Sequence, residues 1–237
     1  MEIKKCVTSF GFGKRKKTLE ITKPLFEEYA HKVGAAFVTA EASDFDEWIL
    51  SQKEFSWSKA GDVCLLKIPH LIKLLDEYDQ VLWLDADVIV TGFDNVFGTM
   101  DAPMRMVLNK CDAGEFCNTG VWLVEKKAKD FICSIEINKN VAKGAKWYGP
   151  LGYDGEMPMV LNALGVDLMA DVISMPLSQY WCQMDYKFHN IKHDYRGYQK
   201  NAVFVHACSW DIEIVMSLLI TAGIWDLQKY IEVKKGK

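Results

Sequence analysis

The stretch Val81-Leu82-Trp83-Leu84-Asp85-Ala86-Asp87-Val88-Ile89-Val90 decides the fold. It is apolar except for two carboxylates at alternate positions. Such a run predicts a strand buried on both faces, the kind found in α/β sheets. Residues i and i+2 of a strand face the same side, so Asp85 and Asp87 are expected to converge. Two like charges in one buried spot are costly unless something positive meets them. A hard divalent cation is the simplest partner. The plainer alternative is a pair of strand-end aspartates capping the next turn.

Working outward, Lys4–Phe10 predicts a strand that ends in the turn Gly11-Phe12-Gly13. Lys14–Lys17 is a basic run that can offset phosphate charge, although most such runs mark a solvated face. Thr22–Val33 predicts a helix with Pro24 in its first turn and Gly34 as its stop. Ala36–Thr39 is a second strand candidate, and this strand-helix-strand opening argues for a parallel sheet. A helical period runs over Asp62–Glu77 through Val63, Leu66, Leu71, Leu74 and Leu75, directly before the acidic stretch. Met104–Asn109 and Thr119–Val124 read as further strands, and Lys126–Asn138 as a polar, lysine-rich helix. Lys139–Gly152 is loop-like, Met157–Leu164 a helix, Ala202–Ala207 a late strand and Ile212–Ile220 a helix. With no repeat, low-complexity tract or linker, 1–237 is expected to form one domain.

Composition narrows the function classes. The chain has 237 residues, of which half are hydrophobic, enough for a sizeable core. Its net charge of −4 offers no basic field for nucleic acid. No apolar stretch approaches the ~20 residues that span a bilayer, and Met1–Lys5 has no signal-peptide character. The seven cysteines are odd in number and lack paired spacing. Zinc is therefore not expected, and free thiols fit a reducing compartment. A cytoplasmic location is the resulting expectation.

Several constellations can carry chemistry. Mn²⁺ and Mg²⁺ prefer oxygen ligands and commonly bind one or two carboxylates together with substrate phosphates. Asp87 is the first choice for direct ligation, and Asp85 is expected either to ligate or to contact a ribose. His206 ends the apolar segment Val203-Phe204-Val205 and is either a third ligand or a hydrogen-bonded core histidine. Asn118-Thr119-Gly120 precedes a strand. Asn118 offers a donor and an acceptor to sugar hydroxyls, and Gly120 permits close approach to the backbone; an ordinary turn is the local alternative. Asp154 and Glu156 stand just before a helix, either as caps or as the acid facing the reacting sugar. Lys59 can offset phosphate charge. Trp147, Tyr148, Tyr180, Trp181 and Trp210 can serve as sugar platforms or as core.

Taken together, these residues resemble the metal-dependent nucleotide-sugar glycosyltransferases of the GT-A type. The nearest patterns are the glycogenin-like (GT8) family and the galactosyl/mannosyl/xylosyl transferases (GT34). Val7-Thr8-Ser9 resembles the first, nucleotide-side strand, and Tyr29-Ala30 with Gly34 resembles the helix after it. Trp57-Ser58-Lys59 and Lys67-Ile68-Pro69 resemble the helix before the metal strand. Val81–Asp87 resembles the D-x-D strand and Asn118-Thr119-Gly120-Val121 the sugar-pocket strand. His206 stands where those families place a third metal ligand. Asp154-Gly155-Glu156 departs from the pattern, because the Gln that usually follows the acidic residue is absent.

The resemblance implies an α/β GT-A fold, a Rossmann-like, mixed, mostly parallel sheet flanked by helices. It assigns 1–125 to a nucleotide-binding half and 126–237 to an acceptor-side half with a closing C-terminal segment. Val7, Thr8, Ser9, Lys59, Asp85, Ala86 and Asp87 are then expected around the donor. Asp85, Asp87 and His206 are expected on Mn²⁺ or Mg²⁺, and Asn118 with Asp154 or Glu156 at the reacting sugar. The implied donor is a UDP-sugar, with a GDP-sugar as the lesser alternative. The implied acceptor is a carbohydrate or glycoconjugate, glycosylated with retention. Two rivals remain: a haloacid dehalogenase-type phosphatase, whose nucleophile motif is also strand-D-x-D, and a non-catalytic carbohydrate-binding protein on the same fold.

Overall fold

Every residue of Cys6–Ser9 and of Gln80–Leu84 is buried, so both strands must be covered on both faces. The computed structural model describes residues 2–13, 15–45, 66–100, 102–111, 114–134, 173–174, 181–183, 203–207 and 211–221. The elements in chain order are β1 (Lys5–Ser9), α1 (Arg15–Lys32), β2 (Ala36–Thr39), α2 (Lys67–Glu77), β3 (Gln80–Leu84), β4 (Val88–Val90), β5 (Met104–Cys111) and β6 (Gly114–Glu125). They continue with α3 (Lys129–Ser134), β7 (Ile173–Ser174), β8 (Trp181–Gln183), β9 (Phe204–His206) and α4 (Ile212–Thr221). Short 3₁₀ turns cover Ala42–Asp44 and Lys126–Ala128.

A six-stranded sheet has the order β2-β1-β3-β6-β5-β7, and a three-stranded sheet the order β4-β9-β8. In the large sheet β1 pairs parallel with β2 and β3, while β6 runs antiparallel to β3 and β5. β7 pairs parallel with β5. The sheet is thus mixed, with helices on its faces.

Period-two alternation along β3 builds two cores. Leu82 and Leu84 join Val7, Leu25, Phe26, Tyr29, Ile89, Phe204 and Val215 in an aliphatic cluster under α1, β4, β9 and α4. Val81 and Trp83 point the other way, to Cys6, Phe10, Phe45, Leu71, Leu75 and Trp122 near α2 and α3. The lysine-rich segment after β6 is accordingly not polar all round, since Ala128 and Ile132 are buried in this second cluster.

Three expectations require correction. The helix after β1 starts at Arg15, not Thr22, and Pro24 lies inside it. Its first turn is closed by Arg15 N–H to Phe12 O at 3.0 Å and Lys16 N–H to Gly13 O at 3.2 Å. Its buried face begins only at Ile21, so the exposed first turn leaves no apolar signal. The end at Gly34 matches its expected stop. Gly34 has φ +67°, its N–H reaches His31 O, and Ala35 N–H reaches Ala30 O at 2.8 Å. These two bonds make a Schellman cap.

The acidic stretch is also not one strand. β3 stops at Leu84, and Val88 N–H bonds back to Asp85 O at 2.9 Å. β4 then departs into the second sheet. Both halves are apolar because each is buried, in different sheets. Finally, Asn118-Thr119-Gly120 does not precede a strand but lies within β6. The pairing runs Met106 to Trp122 and then Val107 to Asn118, so a bulge falls at this segment. Bulges bend a strand and re-aim its side chains.

Candidate active site

Asp85 and Asp87 occupy the turn that links the two sheets. Asp85 N–H is held by Gly120 O at 2.8 Å, and Ala207 N–H by Asp87 O at 2.9 Å. Thr22 of α1 donates its hydroxyl to Ala86 O at 2.8 Å. β6, β9 and α1 therefore fix this turn from three sides. The carboxylates meet because the turn curls them together, not because they are alternate positions of one strand.

β9 completes the cluster. It pairs antiparallel with β4, with Val88 opposite His206. That register sets the imidazole beside the residue preceding Val88. His206 Nε2 lies 3.2 Å from Asp87 Oδ1 and 3.8 Å from Asp85 Oδ2. One ligand atom from each of Asp85, Asp87 and His206 falls within 4.8 Å of the others. Atoms sharing an octahedral ion with bonds of about 2.1 Å lie about 3–4 Å apart, so the triad needs only a small contraction to hold one. Two carboxylates and one imidazole suit a divalent cation in donor type.

Two cations oppose the carboxylates. Lys67 Nζ is 2.7 Å from Asp85 Oδ1, with its side chain only 3% exposed. It also lies 3.3 Å from Thr119 Oγ1 and 5.4 Å from the Trp83 ring centre. Trp83 Nε1 donates to the same Asp85 oxygen at 2.7 Å. Arg15 Nη1 is 3.0 Å from Asp87 Oδ2, with its side chain 40% exposed.

Neither Arg15, Lys67 nor Trp83 was singled out as a site residue from the sequence, although a signal existed for two of them. Lys67 stands on the apolar stripe Lys67-Leu71-Leu74-Leu75 of α2, and a buried lysine demands an anion. Arg15 sits in a first helical turn that holds no acidic residue, where positive charge is unfavourable unless paired.

Beside the cluster, β1 ends in Thr8 and Ser9, both fully buried. Thr8 Oγ1 donates to Val38 O at 2.7 Å and lies 2.7 Å from His70 Nε2. The hydroxyl proton being spent on Val38, His70 must donate from Nε2. Burial holds the His70 pKa down at about 4. Phe10, Phe45 and Trp83 pack edge-on or tilted against this imidazole, with centroids 6.2–6.4 Å away. The Ser9 hydroxyl has no hydrogen-bond partner among the described residues. Val7 is core, and Ala86 contributes its backbone.

Asn118 lies in β6 opposite Val107. Lys59, Asp154, Glu156, Trp147, Tyr148, Tyr180 and Trp210 lie outside the described residues. So does the expected helix Met157–Leu164. Trp181 falls in β8.

No family model matches the chain, and no characterised protein matches it by sequence. Solved structures do match. A glycosyltransferase involved in glycosylation of the major capsid of PBCV-1 aligns over 92% of this chain and 99% of its own, with TM-score 0.58 and 18% identity. Mouse xyloside xylosyltransferase 1 aligns over 86% and 98%, with TM-score 0.52 and 11% identity. The galactosyltransferase LgtC, solved with donor and acceptor sugar analogues, aligns over 98% and 95%, with TM-score 0.50 and 14% identity. No helix among the described residues is long and apolar enough to cross a membrane. Sheet order, site position and these structural likenesses agree on one architecture: the chain has the fold of the GT-A glycosyltransferases.

Proposed function

We propose that the chain is a metal-dependent glycosyltransferase that moves a sugar from a nucleoside diphosphate, a UDP-sugar in our reading, to a hydroxyl of a carbohydrate or glycoconjugate. The single observation that carries this is the convergence of Asp85, Asp87 and His206 from a turn and a strand at the carboxyl end of β3. Ligands of open α/β sheets bind at such ends.

A divalent ion held there supplies neutralisation of the diphosphate as leaving group. The chain's own residues do the rest. Asp85 is fixed in orientation by Lys67 and Trp83, which leaves its Oδ2 toward His206. His206 offers Nε2 from a buried strand end. Thr8 and His70 tie β1 to β2 and α2, giving the nucleotide side a rigid floor, and the Ser9 hydroxyl, without a hydrogen-bond partner among the described residues, is assigned there to a polar ligand group. Asn118 and one of Asp154 or Glu156 are assigned to the transferred sugar, and Lys59 to the phosphates. Transfer with retention, the division at residue 125 and a closing segment after Ser209 are parts of the same reading.

A haloacid dehalogenase-type phosphatase carries its D-x-D after an early strand. Here a β-α-β unit precedes the motif, and an antiparallel β6 flanks its strand, which argues against that rival.

The test is turnover of a panel of UDP- and GDP-sugars with Mn²⁺, by wild type and Asp87→Ala. The expected result is metal-dependent release of one nucleoside diphosphate, lost by more than about a hundredfold in the variant. Equal activity in both proteins would refute the assignment. Donor binding without turnover across acceptors would favour the non-catalytic carbohydrate-binding alternative.

A further inference from the structure

Thr22 is a polar residue in an apolar row. On the inner face of α1 it stands with Ile21, Leu25, Phe26, Tyr29 and Ala30, and it is fully buried. Packing alone asks for valine or alanine at such a position. A threonine inside a helix ordinarily bonds back to a carbonyl three or four residues before it. Here Thr18 O and Leu19 O lie 3.2 and 3.5 Å away, but Ala86 O is nearer, at 2.8 Å. The hydroxyl carries one proton, and the shortest contact takes it to Ala86. We propose that Thr22 is a positioning residue for the metal site: its hydroxyl holds the Ala86–Asp87 peptide and so sets the direction of the Asp87 carboxylate. This rests on the reading of Asp85, Asp87 and His206 as metal ligands at a donor site.

The turn explains why that peptide matters. Val88 N–H bonds to Asp85 O at 2.9 Å, so Asp85–Val88 is a four-residue turn with Ala86–Asp87 as its central peptide. Such turns come in two forms that differ by a flip of the central peptide, which changes ψ of the residue before it and φ of the residue after it. The residue after it is Asp87. A flip therefore swings the bond that carries the Asp87 carboxylate, whose Oδ1 lies 3.2 Å from His206 Nε2. The rest of the turn is held by strands. Gly120 O accepts from Asp85 N–H at 2.8 Å, and Ala207 N–H donates to Asp87 O at 2.9 Å. Neither bond involves the central carbonyl, and Thr22 supplies the one that does.

The anchor is itself fixed. α1 ends in the Schellman cap at Gly34, and Tyr29 donates its hydroxyl to Asp94 O at 3.0 Å. Two turns before Thr22 on the same helix face, Arg15 reaches Asp87 Oδ2 at 3.0 Å. One helix thus contacts both the backbone of the turn and a carboxylate that projects from it. A buried carbonyl needs a donor. Valine at position 22 keeps the shape of the side chain but takes away the donor that meets Ala86 O.

The test is calorimetric titration of metal-stripped protein with UDP over a series of Mn²⁺ concentrations, comparing wild type, Thr22→Val and Thr22→Ser. Urea unfolding confirms that each is folded. The readout is the Mn²⁺ concentration that supports half of the UDP binding. Removing a residue that orients metal ligands from outside weakens metal affinity by about tenfold or more. That concentration should therefore rise by about tenfold in Thr22→Val and stay close to wild type in Thr22→Ser, which keeps the hydroxyl. Should Thr22→Val not fold, Thr22→Ala takes its place in the same comparison. If wild type binds UDP and Thr22→Val needs no more Mn²⁺ than wild type, the hydroxyl is merely structural and the proposal is wrong. If Thr22→Ser is impaired as much as Thr22→Val, the hydroxyl is not what matters and the proposal is equally wrong. The donor-site reading stands in both cases. If wild type binds no UDP at any Mn²⁺ concentration, the donor-site reading fails and takes this proposal with it.

Discussion

The two faces of the large sheet contribute different chemistry to one site. The aliphatic face, built by α1, β4, β9 and α4, supplies Asp87, His206 and Arg15. The face under α2, rich in aromatic rings, supplies Lys67 and Trp83, both spent on Asp85. On the first face, backbone pairing fixes the ligands and the balancing cation is exposed. On the second, the cation is buried and lies against Asp85 and Thr119. The two aspartates are therefore alike in sequence and unlike in role. In the proposed site Asp87 would serve the ligand, while Asp85 would also serve the fold.

Paired substitutions break this comparison most sharply. Asp85→Ala removes the carboxylate 2.7 Å from the buried Lys67 ammonium and should cost roughly 3–5 kcal/mol of stability, by the general rule for buried pairs stripped of one partner. Asp87→Ala removes a carboxylate paired with an arginine that water can reach, and should cost about 1 kcal/mol or less while abolishing metal-dependent turnover. Urea midpoints of the two variants decide it, and equal losses of stability would remove the distinction.

The next effect belongs to His70. Its folded pKa, about 4, lies below the ordinary histidine value of 6.5. The unfolded chain therefore binds more protons between those values, and stability is full above pH 6.5 and declines as pH falls toward 4. The decline should approach about 3 kcal/mol. A His70→Gln variant should lose most of this slope in denaturant titrations at pH 4.5 and pH 7. An unaltered slope would place the acid sensitivity elsewhere.

Trp83→Phe keeps an aromatic ring against Phe10 but removes the hydrogen bond to Asp85 and part of the buried indole that faces Lys67. It should cost about 1–2 kcal/mol, and it sharpens how much of the Asp85 orientation depends on Lys67 alone. The smallest effect is expected for Lys73→Ala. This removes the exposed contact to Asp44 at 2.9 Å and should cost under about 1 kcal/mol by thermal unfolding.

The sequence made the strands legible wherever burial on both faces left a continuous apolar run, as at β1 and the stretch before Asp85. It also placed the late strand carrying His206. It could not show that the acidic stretch splits between two sheets, because both halves are equally apolar and sheet membership is a non-local property. The partner of β9, which sets His206 opposite Val88, was hidden for the same reason. The start of α1 was missed because its first turn is exposed and is held by loop hydrogen bonds rather than by apolar spacing. Lys67 gave no site signal because a lysine is ordinarily surface charge, and Arg15 because the run Lys14–Lys17, though able to offset phosphate charge, reads first as a solvated face. A lysine on an apolar stripe and an arginine in an otherwise uncompensated first turn are the exceptions to that prior.

The central claim is that Asp85, Asp87 and His206 hold a cation that receives a nucleoside diphosphate. The most direct measurement is calorimetry of the wild-type protein with UDP and with GDP, each with and without Mn²⁺. The account predicts binding of UDP that requires the metal and is lost in Asp87→Ala. Binding that ignores the metal, or no binding of either nucleotide by folded protein, would contradict it.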